Sequence, residues 1–300
     1  MNKWLKWSVI GVVGIVVLGV ATLEFGAYLG DRKTQRHIDV AVVAVAVPTD
    51  AASVERGHYL FTTRGCADCH GASGAGRAFI DKGDMYVKAP NISPGAGNVV
   101  SGHRGEDWVR TIRHGVKPND QPAFIMPSED YNRLTDTDLG ALIAYMRQLP
   151  PASGEGTVVR LPSLVKMLYA TGVIRDAAEK IDHSLPPATP VAEDGSVQHG
   201  AYVASMCVGC HGAHLSGGKI PGAPPDWPAA ANLTPGAGSA MTRYSNADQF
   251  VAMLRSGRRP DGSEVSSVMP FSSLRELSDS DAKALYAHLV QLAPMAVGQR

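Results

Sequence analysis

The pentapeptide Cys-x-x-Cys-His occurs twice, as Cys66-Ala67-Asp68-Cys69-His70 and as Cys207-Val208-Gly209-Cys210-His211, and together the copies use every cysteine in the chain. Two thiols at this spacing can form thioether bonds to the vinyl groups of one porphyrin, and the adjacent histidine then lies beneath the ring with its imidazole toward the iron. A bare Cys-x-x-Cys also serves as a dithiol redox pair or as half of a zinc site, but neither role requires the histidine. The motifs lie far apart in the chain and each brings its own histidine, more ligands than one closed tetrahedral zinc site uses. The sequence therefore predicts two covalently attached c-type haems, held by Cys66, Cys69, Cys207 and Cys210, with His70 and His211 as iron ligands. No cysteine is left over for a disulfide or a free thiol nucleophile.

The motifs belong to a longer repeat. The same shift that lays Cys66 on Cys207 also lays Asn91-Ile92-Ser93-Pro94-Gly95-Ala96-Gly97 on Asn232-Leu233-Thr234-Pro235-Gly236-Ala237-Gly238. Gly57-His58-Tyr59 has a counterpart in Gly200-Ala201-Tyr202, Met126-Pro127 in Met269-Pro270, and Leu134-Thr135-Asp136 in Leu277-Ser278-Asp279. Two copies of one domain of roughly 100 residues follow, a size that suits a single compact core. The chain divides into a membrane anchor over 1–30, a tether over 31–52, a first domain over 53–150, a connection over 151–196 and a second domain over 197–300.

Pattern predicts three helices in each copy. The first should run into the haem motif, from about Ser53 to Cys66 and from about Val197 to Cys207. A second covers about Glu106–His114 and Asn246–Ser256, each closed by a glycine, Gly115 or Gly257. The last starts at Thr135 or Ser278, where acidic residues suit a helix N-terminus, and carries an apolar stripe at Leu139, Leu142, Ile143, Met146 and Leu149. No stretch shows sustained strand alternation, so the fold class expected is all-α, with glycine- and proline-rich loops wrapped around flat ligands.

The sixth iron ligand separates an electron carrier from a haem open to small molecules. Met126 and Met269 stand at nearly the same separation beyond Cys69 and Cys210, and a proline follows each. Among the 10 methionines core packing is the ordinary role, and it suits Met146, Met206 and Met253 on apolar helix faces. Met85 and Met241 lack an equivalent in the other repeat, which leaves Met126 and Met269 as the expected axial ligands. Histidine plus methionine saturates the iron and raises its potential.

The order of Cys-x-x-Cys-His, Asn-Ile/Leu-Ser/Thr-Pro-Gly, a helix ending in Arg-x-Gly, Met-Pro, and Leu-Ser/Thr-Asp-x-Asp before a final helix resembles class I cytochrome c domains. More narrowly, the chain is similar to the tandem-haem cytochromes that serve as electron-transfer subunits of membrane-bound periplasmic dehydrogenases, such as those for alcohols and gluconate. The resemblance covers about 54–150 and 197–294; those subunits usually carry three haem motifs, and this chain has two. It implies two tandem class I domains behind a transmembrane helix. It also implies that a backbone carbonyl near Pro90-Asn91, and one near Ala231-Asn232, accepts the free N–H of the proximal histidine. Asn91 and Asn232 are expected to brace a loop or a propionate. Arg113 and Arg255, aligned across the repeat, are expected either to pair with a propionate or to stand solvated at a helix end, and His103, His114 and His214 to be surface or loop residues.

From Ser8 the chain runs apolar to Leu23 and, with only Glu24 interrupting, on to Gly30, long enough to span a bilayer. A cleaved signal peptide fits the basic start as well. The retained anchor is favoured because the apolar run exceeds a typical signal core and Trp4 and Trp7 suit an interface. Lys3 and Lys6 on one side and Arg32, Lys33 and Arg36 on the other leave orientation undecided. Haem attachment decides it, because c-type haems are joined outside the cytoplasm. The bulk of the protein is expected on the periplasmic side of a bacterial inner membrane. Val40–Val47 reads as an extended tether or a short edge strand, and the middle of the connection, through Leu161, Leu164, Val165, Leu168 and Ile174, as a helical stripe packing over the two domains or against a membrane or partner.

Lysine plus arginine and aspartate plus glutamate each number 28, so net charge is zero, which argues against nucleic-acid partners. Two functional classes remain. One is a dihaem carrier moving electrons from a periplasmic dehydrogenase or quinol-linked donor to a terminal oxidase or soluble cytochrome. The other is a dihaem enzyme of peroxidase or thiosulfate-oxidising type with one open iron. Matching Met-Pro elements favour the carrier, and no carboxylate pair or oriented base stands near either motif in sequence.

Overall fold

A computed structural model of the chain describes residues 2–299, in which one helical unit occurs twice with additional layers on the first copy. A long helix α1 (Lys3–Lys33) leads into an extended segment. Domain 1 follows with α2 (Ala51–Thr63), α3 (Cys66–His70), a hairpin of β1 (Ala78–Lys82) and β2 (Met85–Lys88), α4 (Gly105–His114), a 3-10 turn over Ser128–Asp130, and α5 (Asp136–Met146). The connection contributes β3 (Val158–Arg160), α6 (Ser163–Ala170) and α7 (Ala177–Lys180). Domain 2 comprises α8 (Val197–Ala204), α9 (Val208–His211), α10 (Ala247–Ser256), α11 (Phe271–Leu274) and α12 (Asp279–Leu289).

The expected helices form, with local reasons. Thr135 and Ser278 cap α5 and α12, their hydroxyls accepting from the amides of Asp138 and Asp281 at 3.0 Å each. Gly115 and Gly257 close α4 and α10 in the left-handed region, at φ 65° and 71°. The first helices end sooner than predicted. Arg64 and Gly65 break the chain after α2, with Gly65 at φ 78°, so the first motif starts its own short helix; in domain 2 a 3-10 turn over Ser205–Cys207 separates α8 from α9.

In each domain the first and last helices cross so closely that the crossing position must be glycine. A Cβ on Gly57 would collide with the carbonyl oxygen of Ala141, and one on Gly200 with that of Ala284. Each domain then has its own core, and the cores are built from equivalent positions. Leu60, Trp108, Ile112, Leu134, Leu142 and Met146 in domain 1 correspond to Val203, Phe250, Leu254, Leu277, Leu285 and Leu289 in domain 2.

The all-α expectation holds for the described residues of domain 2 but not for domain 1, which carries a β-hairpin. β1, β2 and β3 form an antiparallel sheet, with Val87 opposite both Ile80 and Val159. Its strands are three to five residues long, too short for an alternating pattern to stand out, and β3 arrives from the connection, far away in sequence. The segment over 40–47 forms neither strand nor helix, yet it is not a loose tether: Val42, Val45 and Val47 pack on the domain 1 core, and Val40 is buried against Val116 and Ala178. The connection also departs from expectation. Its helix α6 packs along α1, and Tyr169 with Asp176 receives Arg36 in a buried cluster, Arg36 Nη1 donating to Tyr169 Oη at 2.6 Å and to Asp176 Oδ2 at 2.7 Å. Among the described residues only isolated contacts, such as Ile174 near Gly222, reach domain 2 from the connection. The two domains meet each other directly instead.

Candidate haem sites

Each motif is a short helix whose histidine is held from behind. His70 Nδ1 donates to the Pro90 carbonyl at 2.9 Å, and His211 Nδ1 to that of Ala231 at 2.8 Å. The donor must be Nδ1–H because a carbonyl only accepts, so Nε2 is left with its lone pair available. Burial disfavours the imidazolium of His70 and outweighs the Pro90 carbonyl that favours it, so the ring stays neutral, as a metal ligand must be. Asn91 holds the carbonyl-bearing loop in place: its Oδ1 accepts from the Ser93 amide at 2.9 Å and its amide donates to the Ala152 carbonyl at 2.7 Å. Asn232 repeats this with Thr234 and Met295 at 2.9 and 2.8 Å. These asparagines brace loops, which is one of the two roles expected of them.

A cavity of about 520 Å³ opens beside the first motif, lined by Cys66, Cys69, His70, Trp108, Tyr131 and Met126 among others. A mostly apolar slot lined by two thiols, a neutral imidazole and a thioether suits a flat porphyrin. Burial would push a Cys66 thiol up to about 12, a Cys69 thiol to about 11 and a Cys207 thiol to about 12. That is the reverse of a dithiol oxidoreductase, which lowers its thiol pKa to make a nucleophile. Among the described residues no cluster of three or more His, Cys, Asp or Glu side chains offers a metal site of the zinc type.

Met126 and Met269 occupy the same turn in the two copies. The Met126 amide donates to the Ala123 carbonyl at 3.1 Å and its carbonyl accepts from Ser128 at 2.8 Å; for Met269 the partners are Ser266 and Phe271, at 3.0 and 2.8 Å. Met269 packs with Cys207 and Val208 on the domain 2 core. Met85, Met146, Met241 and Met253 are buried in cores.

Two expectations need correction. Arg113 neither reaches for a propionate nor stands in solvent: it is buried, with Nη2 donating to the Leu134 carbonyl and to Asp136, both at 2.7 Å, so it ties α4 to the start of α5. Arg255 makes the equivalent contacts to the Arg275 carbonyl and Asp279 while staying partly exposed at its helix end. His114 is buried rather than at the surface, its Nδ1 3.0 Å from Nδ1 of His183, and burial with the neighbouring His183 charge lowers it to about 4.

Carboxylates near the motifs make a contact between the domains that local sequence does not show. Asp130, 9% exposed, accepts from the Gly209 amide inside the second motif at 2.7 Å, while Asp68 inside the first motif accepts from Ser272 and Ser273 of α11 at 2.6 and 2.7 Å. Asp68 is equivalent to Gly209 and Asp130 to Ser273, so these are two halves of one approximately two-fold contact that sets each motif against the other domain's Met-Pro turn. Burial, with the charge of Glu129 beside it, holds the Asp130 carboxyl well above the ordinary range against the opposing Gly209 amide, Lys180 and Arg64. Sequence reasoning missed this pair because the partners in each half are distant along the chain.

A second reciprocal contact flanks the first. Tyr59 donates to Asp281 Oδ2 at 2.6 Å and accepts from the Ser278 amide at 3.0 Å; Tyr202 donates to Asp138 Oδ2 at 2.6 Å and accepts from the Thr135 amide at 3.2 Å. Each tyrosine therefore caps the other domain's terminal helix. Burial and the facing carboxylate raise Tyr202 to about 12 and shift Tyr59 the same way, so both hydroxyls stay protonated donors.

Residues 54–150 match the family described as cytochrome c, and residues 197–289 the one described as cytochrome C oxidase, cbb3-type, subunit III. The chain carries two cytochrome c domains. Accordingly it binds two covalently attached c-type haems and serves electron transport. Among curated relatives, the fructose dehydrogenase cytochrome subunit of Gluconobacter japonicus is 27% identical over 81% of this chain and 54% of its own length. The gluconate 2-dehydrogenase cytochrome c subunit of Pantoea cypripedii is 26% identical over 95% and 66%, and the cytochrome c subunit of the quinone alcohol dehydrogenase of Gluconobacter oxydans is 25% identical over 85% and 58%. The chain thus spans from about half to two thirds of the length of the curated relatives it matches.

Proposed function

We propose that the chain is a membrane-anchored dihaem electron carrier, accepting electrons from a periplasmic dehydrogenase or quinol-linked donor and delivering them to a terminal oxidase or soluble cytochrome. Bound haem iron supplies one-electron oxidation and reduction with no bond made or broken. The protein's part is to close and fix the coordination. Cys66, Cys69, Cys207 and Cys210 would hold the haems through thioethers, His70 and His211, oriented by Pro90 and Ala231, would offer Nε2 to the iron, and Met126 and Met269 would supply the remaining ligands.

The observation that carries this reading is the matched pair of Met-Pro turns, the first of which lines the same cavity as Cys66, Cys69 and His70. A closed iron favours transfer over catalysis at the metal. The relatives' printed names, all cytochrome subunits of sugar, gluconate or alcohol dehydrogenases, supply the class of donor. Anchoring rests on α1, whose described apolar residues from Val9 to Val20 are exposed. The periplasmic side for both haem domains follows from the attachment chemistry, because c-type haems are joined outside the cytoplasm.

Carbon monoxide titration of the reduced protein, purified from a strain competent for cytochrome maturation, tests the assignment. The native protein should bind none, whereas Met126→Ala and Met269→Ala should each bind one equivalent and lower one potential with both haems still attached. Stoichiometric binding by the native protein would turn the reading to an enzyme with an open site.

A further inference from the structure

The end of α1 does not simply lead into domain 1; it forms part of the domain's wall. From Trp4 to Glu24 the helix rises about 30 Å, the thickness of a bilayer's hydrocarbon core. The protein begins again at that level, where Ser163, the first residue of α6, donates to Glu24 Oε1 at 3.0 Å. From there α6 runs alongside α1. Gly26 and Gly30 allow the approach, since a Cβ on either would collide with Met167 or with the Lys166 backbone. Beyond it, Lys166 pairs with Asp31 at 2.9 Å and Lys33 with Glu179 at 2.9 Å.

What faces outward at this junction is apolar below and basic above. Phe25, Tyr28 and Leu29 of α1 are 63%, 53% and 43% exposed, and Leu164 at the tip of α6 is 53% exposed. One turn beyond Tyr28, the exposed Arg32 stands beside the Tyr28 hydroxyl, while Lys33 and Lys166 are partly exposed and paired with Glu179 and Asp31. Aromatic and aliphatic groups at the hydrocarbon boundary, with cations just outside it, match the profile of an anionic lipid interface.

We propose that the tip of α6 and the end of α1 form a collar that rests domain 1 on the bilayer surface, with Leu164 inserted at the hydrocarbon boundary. The occupant is lipid because the face is continuous with the exposed apolar surface of α1 and begins where the span ends. Gly30, Asp31, Thr34, Lys166 and Tyr169 also line the domain 1 cavity, so the collar makes the first haem site the membrane-proximal one and leaves domain 2 on the far side of the interdomain contact.

The inference rests on α1 spanning the membrane, and the test separates the two. The photoreactive residue benzoylphenylalanine is placed at Leu164, at Val16 in mid-helix or at Val290 on domain 2, each in the full haem-loaded chain reconstituted into phosphatidylethanolamine–phosphatidylglycerol vesicles. Lipid adducts are then read by mass spectrometry, with the haem spectrum confirming the fold. The expected result is an adduct at 164 comparable with that at 16 and roughly ten-fold above that at 290. An adduct at 16 without one at 164 overturns the collar while the span stands, and no adduct at 16 overturns both. A chain-to-chain cross-link from 164, or labelling at 290 equal to that at 164, also overturns the collar.

Discussion

Domain 1 and domain 2 share a core, a motif geometry and a set of caps, yet they differ in what surrounds them and in how they offer the same contact. Domain 1 is wrapped by α1, the 40–47 segment, the three-stranded sheet and α6, whereas domain 2 meets few added elements. At the interface the chemistry is exchanged. The carboxylate belongs to the motif in one half, as Asp68, and to the Met-Pro turn in the other, as Asp130. The partner of the terminal-helix aspartate likewise changes, from Arg56 on Asp138 at 2.9 Å to the equivalent His199 on Asp281 at 2.8 Å. Two identical faces related by a two-fold axis would have set acid against acid. Divergence of the repeats made the faces complementary, so the two haem motifs are held in a defined relation by direct contact rather than by the connection.

The strongest way to break the comparison is at the helix crossing. Gly57→Val and Gly200→Val should each destabilise their own domain by roughly 3 kcal/mol, because the new side chain meets a backbone carbonyl that cannot move without separating the helices. Calorimetry of the haem-loaded protein checks this. Equal losses mean the cores alone govern the crossing, and a smaller loss for Gly57→Val would show that the layers around domain 1 support it.

Next in size are the tyrosines. Tyr59→Phe and Tyr202→Phe each remove a hydrogen bond to a carboxylate, about 1.5–3 kcal/mol apiece. Tyr59→Phe should cost more, since Asp138 keeps two bonds from Arg56 while Asp281 keeps one side-chain partner on Oδ1, His199. The double variant should let the domains part, seen as a larger radius of gyration by small-angle scattering with both haem spectra unchanged. An unaltered radius would mean the Asp68 and Asp130 contacts suffice.

The smallest effect concerns pH. Because the folded-state carboxyl of Asp130 titrates above its unfolded value of 3.8, the stability it contributes is complete below that value and is lost as pH rises through the raised one. Stability against urea should therefore fall with rising pH above about 4 more steeply in the native protein than in Asp130→Asn. Parallel profiles would place the proton elsewhere.

Much of this was legible in the sequence because it is encoded locally. The Cys-x-x-Cys-His motifs, the caps Thr135 and Ser278, the closing glycines and the apolar stripes each involve residues a few positions apart, and repetition at a nearly fixed offset doubled every signal. The carbonyl partners of His70 and His211 followed from the resemblance and were found where it placed them. What stayed illegible joins distant residues. Arg113 and His114 are buried, and Arg36 partly so, only because α5, the 183 region or α6 covers them, and β3 becomes a strand only because β2 offers it an edge. Asp130 has no local signal, because its partner Gly209 lies in the other domain.

Spacing alone determined that this chain holds two haems in two like domains, since thioether attachment needs only a few adjacent side chains and a helix to present them. How those domains face each other, and which of them lies against the helix α1, depended on complementarity between surfaces that are remote along the chain. No local pattern records that, because the residues that meet across the contact are far apart in the chain.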